Sequence, residues 1–336
     1  MHYIFFSVTI CLNLLFVWIN LSSGSQGFEL DTFRNIFALD ESMSFIVESI
    51  RLPRVLAAII AGSALALSGA ILQNILRNPL ASPFTVGVSQ ASAFGATFAI
   101  IVLGAYGGSG MFGFEAFPSS VVVVLSAFFC SATLLLFLVI LYLNNLSSSS
   151  VILSGIAFGA FFGSLTMLLQ HFGDDLDVAA SLFWTFGDLG RVSKDELFSL
   201  FVVVFILYIV LITISFKFNV LSFGSDVAKS LGLRVRGFFV LSITISALLA
   251  SLATAFFGII GFVGIVAPHI IRLFFKENYR SIIVLSPLVG SLLLLVSDFI
   301  AKIAFTPLVL PIGIVTSLVG APLFVFLLIR RGRVFG

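Results

Sequence analysis

Long apolar segments separated by short polar stretches account for most of the chain. A helix that crosses a membrane needs about 20 predominantly apolar residues, and ten segments approach that length. Segment 259–275 is the shortest of them, and Gly and Pro interrupt it most. They lie near residues 1–21, 52–75, 84–106, 119–143, 151–171, 197–216, 237–257, 259–275, 281–301 and 308–329. The pattern predicts an all-α, polytopic membrane protein with about ten transmembrane helices in a single domain.

The composition supports a membrane protein. Of the 336 residues, 60% are hydrophobic and 10% are charged, whereas a soluble domain has about 25% charged residues. Cys11 and Cys130 lie in apolar runs without the spacing of a metal or redox motif, so we predict neither a disulfide nor a metal site. The first apolar segment lacks the basic start and the cleavage site of a signal peptide, and we interpret it as a helix.

The positions of the charged residues predict the topology. Lys and Arg are enriched in short cytoplasmic loops of membrane proteins, and ten spans place both termini on the same side. The loops on that side and the C-terminal tail hold eleven of the 17 basic residues, while the opposite side holds twelve of the 15 acids. We therefore predict that both termini are cytoplasmic. Arg51 and Arg54 then face outside, where the enrichment of basic residues in cytoplasmic loops would not place them.

Side chains for catalysis or metal binding do not form a recognisable set. His2, His171 and His269 are far apart, and none has a metal-ligand partner at helical spacing. The stretch GSDVAKS at 224–230 resembles part of a phosphate-binding loop but lacks the second glycine before the lysine. We therefore expect no cofactor, no metal and no ATP site, and no catalytic activity of the chain itself.

Asp298 is the clear carboxylate candidate within a predicted span. It could be a hydrogen-bonded structural acid at a helix interface or a functional group, and the sequence leaves both open. Intramembrane acids and histidines are typical of ion-coupled carriers, and their scarcity here argues against that class. We expect the energy for transport to come from elsewhere.

Two further patterns concern helix packing and partners. Gly155, Gly159 and Gly163 form a stripe at intervals of four residues, which suits close helix packing or a flexible wall along a pathway. The cytoplasmic loop 217–236 mixes apolar and charged residues at helical spacing. We expect it to form one or two short surface helices that contact a partner.

Five ordered blocks resemble the FecCD-type permeases, the membrane subunits of ABC importers for iron–siderophore, haem and cobalamin. They are RLPRVLAAIIAGSALALSGAILQNILRNPLASPFTVGVSQAS, FGSDVAKSLGL, GFVGIVAPHIIRL, SDFIAKI and LPIGIVTSLVGAPLFVFLLIRR. The resemblance begins at about residue 28 and implies the cobalamin-permease-like ABC importer fold, with ten helices per subunit. It also implies a second permease subunit, as a homo- or heterodimer, two cytoplasmic ATP-binding subunits and an extracytoplasmic substrate-binding protein.

The resemblance also assigns roles to three groups of residues. Exposed docking points for acidic residues of the binding protein would be Arg51, Arg54 and Lys302. The helix that contacts the ATPase would include Gly224, Asp226, Ala228, Leu231 and Gly232. In addition, Gly232 suits a left-handed helix end. Ser148 and Ser149, in the polar hairpin after the fourth span, would form a narrow cytoplasmic gate.

The implied function is that of an importer permease in the bacterial or archaeal cytoplasmic membrane, with no role in nucleic-acid binding. We expect an iron(III) chelate, a siderophore or haem, as the cargo. Cobalamin or a molybdate-type oxyanion is the alternative within the family, and an ion-coupled secondary transporter is the alternative outside it. The pathway walls would come from the fifth helix, the segment after it and the eighth helix, which are apolar apart from Ser, Thr and Gln170.

Overall fold

A computed structural model describes residues 2–24, 27–28, 45–105, 119–144 and 147–335, and most of them are helical. The helices are α1 (His2–Ser22), α2 (Leu52–Ile75, after a π-helical turn at Val47–Arg51), α3 (Val88–Ile101), α4 (Ser119–Leu143), α5 (Ser148–Phe172), α6 (Asp175–Thr185), α7 (Lys194–Ser222), α8 (Ser225–Ser230), α9 (Val235–Phe257), α10 (Val263–Phe275), α11 (Tyr279–Ile303) and α12 (Ile312–Phe335). After α1, the two-residue strands β1 (Ser23–Gly24) and β2 (Gly27–Phe28) form an antiparallel pair.

Seven helices of the described residues are long and apolar enough to cross a membrane, and three shorter apolar helices accompany them. The shorter ones are α3, α10 and the apolar part of α12, Ile312–Leu327. Each of the ten predicted segments overlaps one of these helices, while α6 and α8 are short helices between spans. The predicted all-α, polytopic fold class is confirmed.

Helix α2 lies at the centre of the bundle, where it packs against α7, α9, α10 and α11. Its sequence is rich in Ala, Gly and Ser, and small residues let the backbones of neighbouring helices approach closely in lipid. A Cβ atom at Gly62 would overlap the backbone of Gly290 in α11, and one at Gly69 would overlap the backbone of Gly264 in α10. These glycine contacts fix where α10 and α11 cross α2.

Helices α3 and α10 begin later than the hydropathy pattern indicated. They begin at Val88 and Val263, because turns and glycine-containing segments precede both. Phe84 and Phe262, one from each of these non-helical segments, stack with ring centroids 6.4 Å apart. Non-helical backbone at membrane depth is found where it is buried in protein or lines a cavity. The two segments therefore indicate a cavity or close packing beside them.

Candidate functional site

Four charged side chains form a largely buried group, the Asp298 cluster, which consists of Arg54, Asp188, Asp298 and Lys302. Nε of Arg54 lies 2.7 Å from Oδ1 of Asp298, and Nζ of Lys302 lies 2.8 Å from Oδ2 of the same carboxylate. Nη1 of Arg54 also lies 3.3 Å from Oδ1 of Asp188. The Asp298 side chain is 0% exposed, whereas that of Asp188 is 46% exposed. Asp188 is therefore the member of the cluster that water reaches most easily.

The crossing of α2 and α11 explains why these residues meet. Arg54 pairs with Asp298 and Gly62 contacts Gly290, so the two helices run antiparallel. Each charged residue lies about 12 Å along its helix from the glycine contact, at a rise of 1.5 Å per residue. Lys302 lies one turn beyond Asp298 on the same face of α11. Asp298, whose role the sequence left open, is thus held at a helix interface by two cations.

The three residues predicted to dock a binding protein all lie at this end of the bundle. Nζ of Lys302 donates to Oδ1 of Asn20 at 3.1 Å, and Nη1 of Arg51 donates to the carbonyl oxygen of Leu21 at 2.9 Å. Both cations are buried against the end of α1, and Arg54 is largely enclosed by its two carboxylates. The expectation that they present exposed charges is therefore wrong, while docking at this end of the bundle stays a prediction.

A second buried polar group, the Arg272 junction, consists of Gln73, Arg272, Glu277 and Tyr279. It lies where α2 and α10 end and α11 begins. Nη1 of Arg272 donates to Oε1 of Gln73, and Nη2 donates to Oη of Tyr279 at 3.2 Å. Nε of Arg272 lies 3.4 Å from Oε2 of Glu277. The sequence pattern did not predict this group, although Gln73 and Asn74 at the end of the apolar span 52–75 were a signal for it.

Helix α8 lies within the loop predicted to contact an ATPase. Gly224 and Gly232 flank it with φ values of 115° and 83°, a backbone conformation that glycine adopts without steric cost. The side chains of Asp226 and Leu231 are exposed. Ala228, in contrast, is completely buried and belongs to the main hydrophobic core. Of the five predicted coupling residues, Ala228 therefore faces the interior of its own chain.

Polar contacts connect the end of α7, which leads into α8, with α2 and α11. Nδ2 of Asn74 in α2 donates to the carbonyl oxygen of Phe218 at 3.1 Å. The backbone N–H of Arg280 in α11 donates to Oδ1 of Asn219 at 3.3 Å. Asn74 and Arg280 directly follow members of the Arg272 junction, so these hydrogen bonds join the end of α7 to residues adjacent to it.

The predicted gate residues Ser148 and Ser149 occupy the first turn of α5. Ser147 is the N-cap of this helix, and its side-chain oxygen accepts a hydrogen bond from the N–H of Ser150 at 3.1 Å. Such a cap pairs an N–H group that the helix itself leaves without a partner. The two serines are therefore helical rather than part of a hairpin loop, and residues 145–146 lie outside the described residues.

A cavity of about 470 Å³ lies between α5 and the chain from Phe84 to Gln90, which includes the start of α3. Its wall is apolar apart from Thr85, Gln90 and Ser164, and none of the residues that line it is charged. Gln170, which the sequence analysis placed in a pathway wall, is not among them. Its Nε2 donates instead to Oγ of Ser181 in α6 at 3.0 Å.

The glycines of the stripe on α5 lie in two different environments. A Cβ atom at Gly155 would lie 2.9 Å from Cα of Val86, and one at Gly159 would lie 3.2 Å from Cα of Gly87. These two glycines permit close packing of α5 against the chain before α3. Gly163 has open space at the same position and lines the cavity.

Comparison with known proteins places the chain in context. Residues 11–330 match the FecCD transport family. An ABC transporter permease protein of Methanocaldococcus jannaschii is 41% identical over 292 residues, which cover 86% of this chain and 83% of the relative. The permease protein of the Fe(3+)-citrate import system of Bacillus subtilis is 36% identical over 301 residues, which cover 89% of this chain and 86% of the relative.

Solved structures show the same fold. A metal-chelate type ABC transporter in an inward-facing conformation matches with a TM-score of 0.85 and 29% identity, covering 98% of this chain and 100% of that chain. Further relatives, 31 or 32% identical, are named for the import of haemin in Yersinia pestis, molybdate in Haemophilus influenzae and vitamin B12 in Citrobacter koseri. The relatives thus differ in the cargo for which they are named.

Proposed function

The chain belongs to the FecCD transport family and is a permease of the ABC importer type, and on this premise we propose that it carries an iron(III) chelate, a siderophore complex or haem, inward across the cytoplasmic membrane. The apolar, uncharged cavity beside α5 carries the proposal, because its volume of about 470 Å³ falls within the usual range for organic ligands. The similarity to the Fe(3+)-citrate permease supports iron as the metal. Cobalamin or molybdate is the alternative, favoured by the names of other relatives.

In this proposal, separate cytoplasmic subunits hydrolyse ATP and contact α8. The exposed apolar side chains of Val227 and Leu231, beside the Asp226–Lys229 ion pair, suit insertion into a cleft of a partner. Closure of the ATPase subunits would displace α8 as a rigid body. The contacts of Asn74 and Asn219 would pass that displacement to α2 and α11.

A binding protein would deliver the cargo at the end of the bundle that contains the Asp298 cluster. Charge complementarity between the two proteins would mainly raise the association rate and set the orientation. Arg51, Arg54 and Lys302 lie at this end, but Arg51 and Lys302 are buried and the side chain of Arg54 is only 15% exposed. An acidic residue of the binding protein would therefore reach Arg54 by replacing Asp188, the exposed carboxylate of the cluster.

At the opposite end, Ser148 and Ser149 would form the cytoplasmic gate of the pathway. Their position in the first turn of α5 supports this role, because the same helix forms one wall of the cavity. A second permease subunit, identical or related, would complete the pathway on the open side of the cavity.

Uptake by a reconstituted importer tests the proposed function. The permease would be assembled in proteoliposomes with its ATPase subunit and binding protein and supplied with a radiolabelled ferric chelate, haem, cobalamin or molybdate. Uptake of an iron chelate that requires both ATP and the binding protein supports the proposal. Uptake by the permease alone would indicate a carrier, and ATP-dependent uptake of molybdate or cobalamin alone would replace the proposed cargo.

A further inference from the structure

One amide side chain at the wall of the cavity forms no hydrogen bond. Oε1 of Gln90 is buried without a partner, and the side chain takes part in none of the hydrogen bonds among the described residues. Other amides form such bonds: Asn13, Asn20, Gln73 and Asn74 each donate to a backbone carbonyl oxygen, although Oδ1 of Asn74 also lacks a partner. An unpaired buried amide destabilises a protein and calls for an explanation when a native fold retains it.

Close packing sets the position of this amide. Gln90 lies in the first turn of α3, three residues after Gly87, whose backbone contacts Gly159 of α5. A Cβ atom at Gly159 would also lie 3.9 Å from Oε1 of Gln90. The amide is therefore held against the glycine face of α5, where that face becomes the wall of the cavity.

We propose that Gln90 is a cargo-contacting residue whose amide forms hydrogen bonds with the organic shell of a chelate in the cavity. The inference rests on the proposed function and deepens it by naming the chemistry of the cargo. A glutamine side chain offers two N–H donors and an acceptor oxygen. It can therefore donate to a carbonyl group of the chelate or accept from a hydroxyl or amide N–H group.

The rest of the cavity wall narrows the class of cargo further. Phe84, Ile156 and Met167 present apolar surface, and no charged side chain lines the cavity. An inorganic oxyanion would lose its hydration there without a cation to compensate its charge. An organic chelate with apolar surface and a few hydrogen-bonding groups fits both the apolar wall and the single unpaired amide.

Replacement of the amide by an apolar side chain of similar size tests this inference. In Gln90→Leu the unpaired amide is gone, so we expect the purified permease to be as stable to heat as the wild type or more stable. We expect ATP-dependent uptake of the ferric chelate to fall about fivefold, the factor for one ordinary hydrogen bond. Opposite effects on stability and uptake are not expected of a merely structural residue.

Asn13→Leu is the matched control, because Asn13 is a bonded amide in α1, away from the cavity. Its Nδ2 donates to the carbonyl oxygen of Leu288 at 2.9 Å, and its Oδ1 accepts from Oγ of Ser291 at 2.8 Å. We expect this variant to lose thermal stability while uptake per folded transporter is unchanged.

Three results would overturn the inference: a loss of stability in Gln90→Leu as large as in Asn13→Leu, an unchanged rate of chelate uptake, or a wild-type importer that takes up only molybdate. If the wild-type importer takes up none of the offered compounds with ATP, the proposed function fails. The stability comparison then still decides whether Gln90 is a structural amide.

Discussion

The two buried polar groups near opposite ends of α2 stabilise their charges in different ways. In the Asp298 cluster, one completely buried carboxylate is shared by two cations, Arg54 and Lys302. In the Arg272 junction, one buried cation binds the neutral oxygens of Gln73 and Tyr279. Its carboxylate partner, Glu277, has a side chain that is 51% exposed.

This difference predicts how much stability the protein loses when one charged member of each group is removed. When one member of a buried ion pair is lost, the remaining charge is buried without compensation, which is far more costly than losing an exposed pair. The Asp298 cluster therefore holds α1, α2 and α11 in one arrangement. Arg272 has neutral partners and a carboxylate in contact with water, so we infer that its end of the bundle tolerates small displacements when α8 moves.

Removal of the shared carboxylate should have the largest effect. Asp298→Ala leaves the buried ammonium group of Lys302 without a counter-charge and leaves Arg54 with only the partly exposed Asp188, and breaking a buried ion pair costs about 3–5 kcal/mol. We expect a low yield of monodisperse permease in detergent and a strongly lowered thermal midpoint. The double variant Asp298→Ala/Lys302→Met has one buried cation fewer and should recover part of the loss. An unfolding midpoint of Asp298→Ala equal to that of the wild type would contradict the comparison.

Loss of the junction cation should have a smaller effect on stability and a specific effect on coupling. Arg272→Met leaves the buried Oε1 of Gln73 without its donor, which costs about 1–3 kcal/mol, but it leaves no buried charge. We also expect fewer cargo molecules imported per ATP hydrolysed, because α8 is linked to this junction. Uptake and ATP hydrolysis would be measured in the same proteoliposomes.

Arg272→Lys is the control for that variant, since it keeps the charge and loses the forked contacts. It should lie between the wild type and Arg272→Met in uptake per ATP. If both variants lose stability while uptake per ATP stays at the wild-type value, the junction is structural only.

The exposed member of the Asp298 cluster should matter less for folding. Asp188→Asn should reduce stability by about 0.2–1 kcal/mol, as for other solvent-exposed ion pairs. If the binding protein replaces Asp188 at Arg54, the variant should associate with it faster than the wild type does, with an advantage that shrinks as salt screens the charges. Association rates on immobilised permease at two salt concentrations would measure this. A slower association would argue against replacement.

The smallest effect concerns Asp177 in α6, a buried carboxylate with no salt bridge among the described residues. Burial, and then the charge of Asp174, raise the pKa of Asp177 above its ordinary value. The folded protein therefore binds the proton of the Asp177 carboxyl group more tightly than the unfolded chain does. The resulting stabilisation is present below about pH 4 and is lost as the pH rises through the raised pKa. In Asp177→Asn, the thermal midpoint should depend less on pH in the range above about pH 4. A curve of thermal midpoint against pH equal to that of the wild type would contradict the raised pKa of Asp177.

Several features could be read from the sequence because they are local. A span of about 20 apolar residues is a property of consecutive positions, so the hydropathy pattern was enough for the all-α, polytopic fold class. The family blocks likewise indicated a short helix in the loop 217–236. Gly232 was predicted to adopt a left-handed conformation at the end of that helix, and its φ of 83° agrees.

Other features depended on where the helices lie relative to one another, and only the tertiary structure decided them. Arg54 and Asp298 are 244 residues apart in the chain, and they meet because Gly62 and Gly290 let α2 and α11 cross closely. Arg54 therefore looked like an exposed charge in the sequence although it is paired and its side chain is largely enclosed. In the sequence, Gln90 was likewise only a polar residue in an apolar span. Whether its amide lacks a hydrogen-bond partner depends on which helix lies beside it. By itself, the sequence determined which segments are apolar enough to form helices of a membrane bundle, and packing of the whole bundle determined which polar groups find partners there.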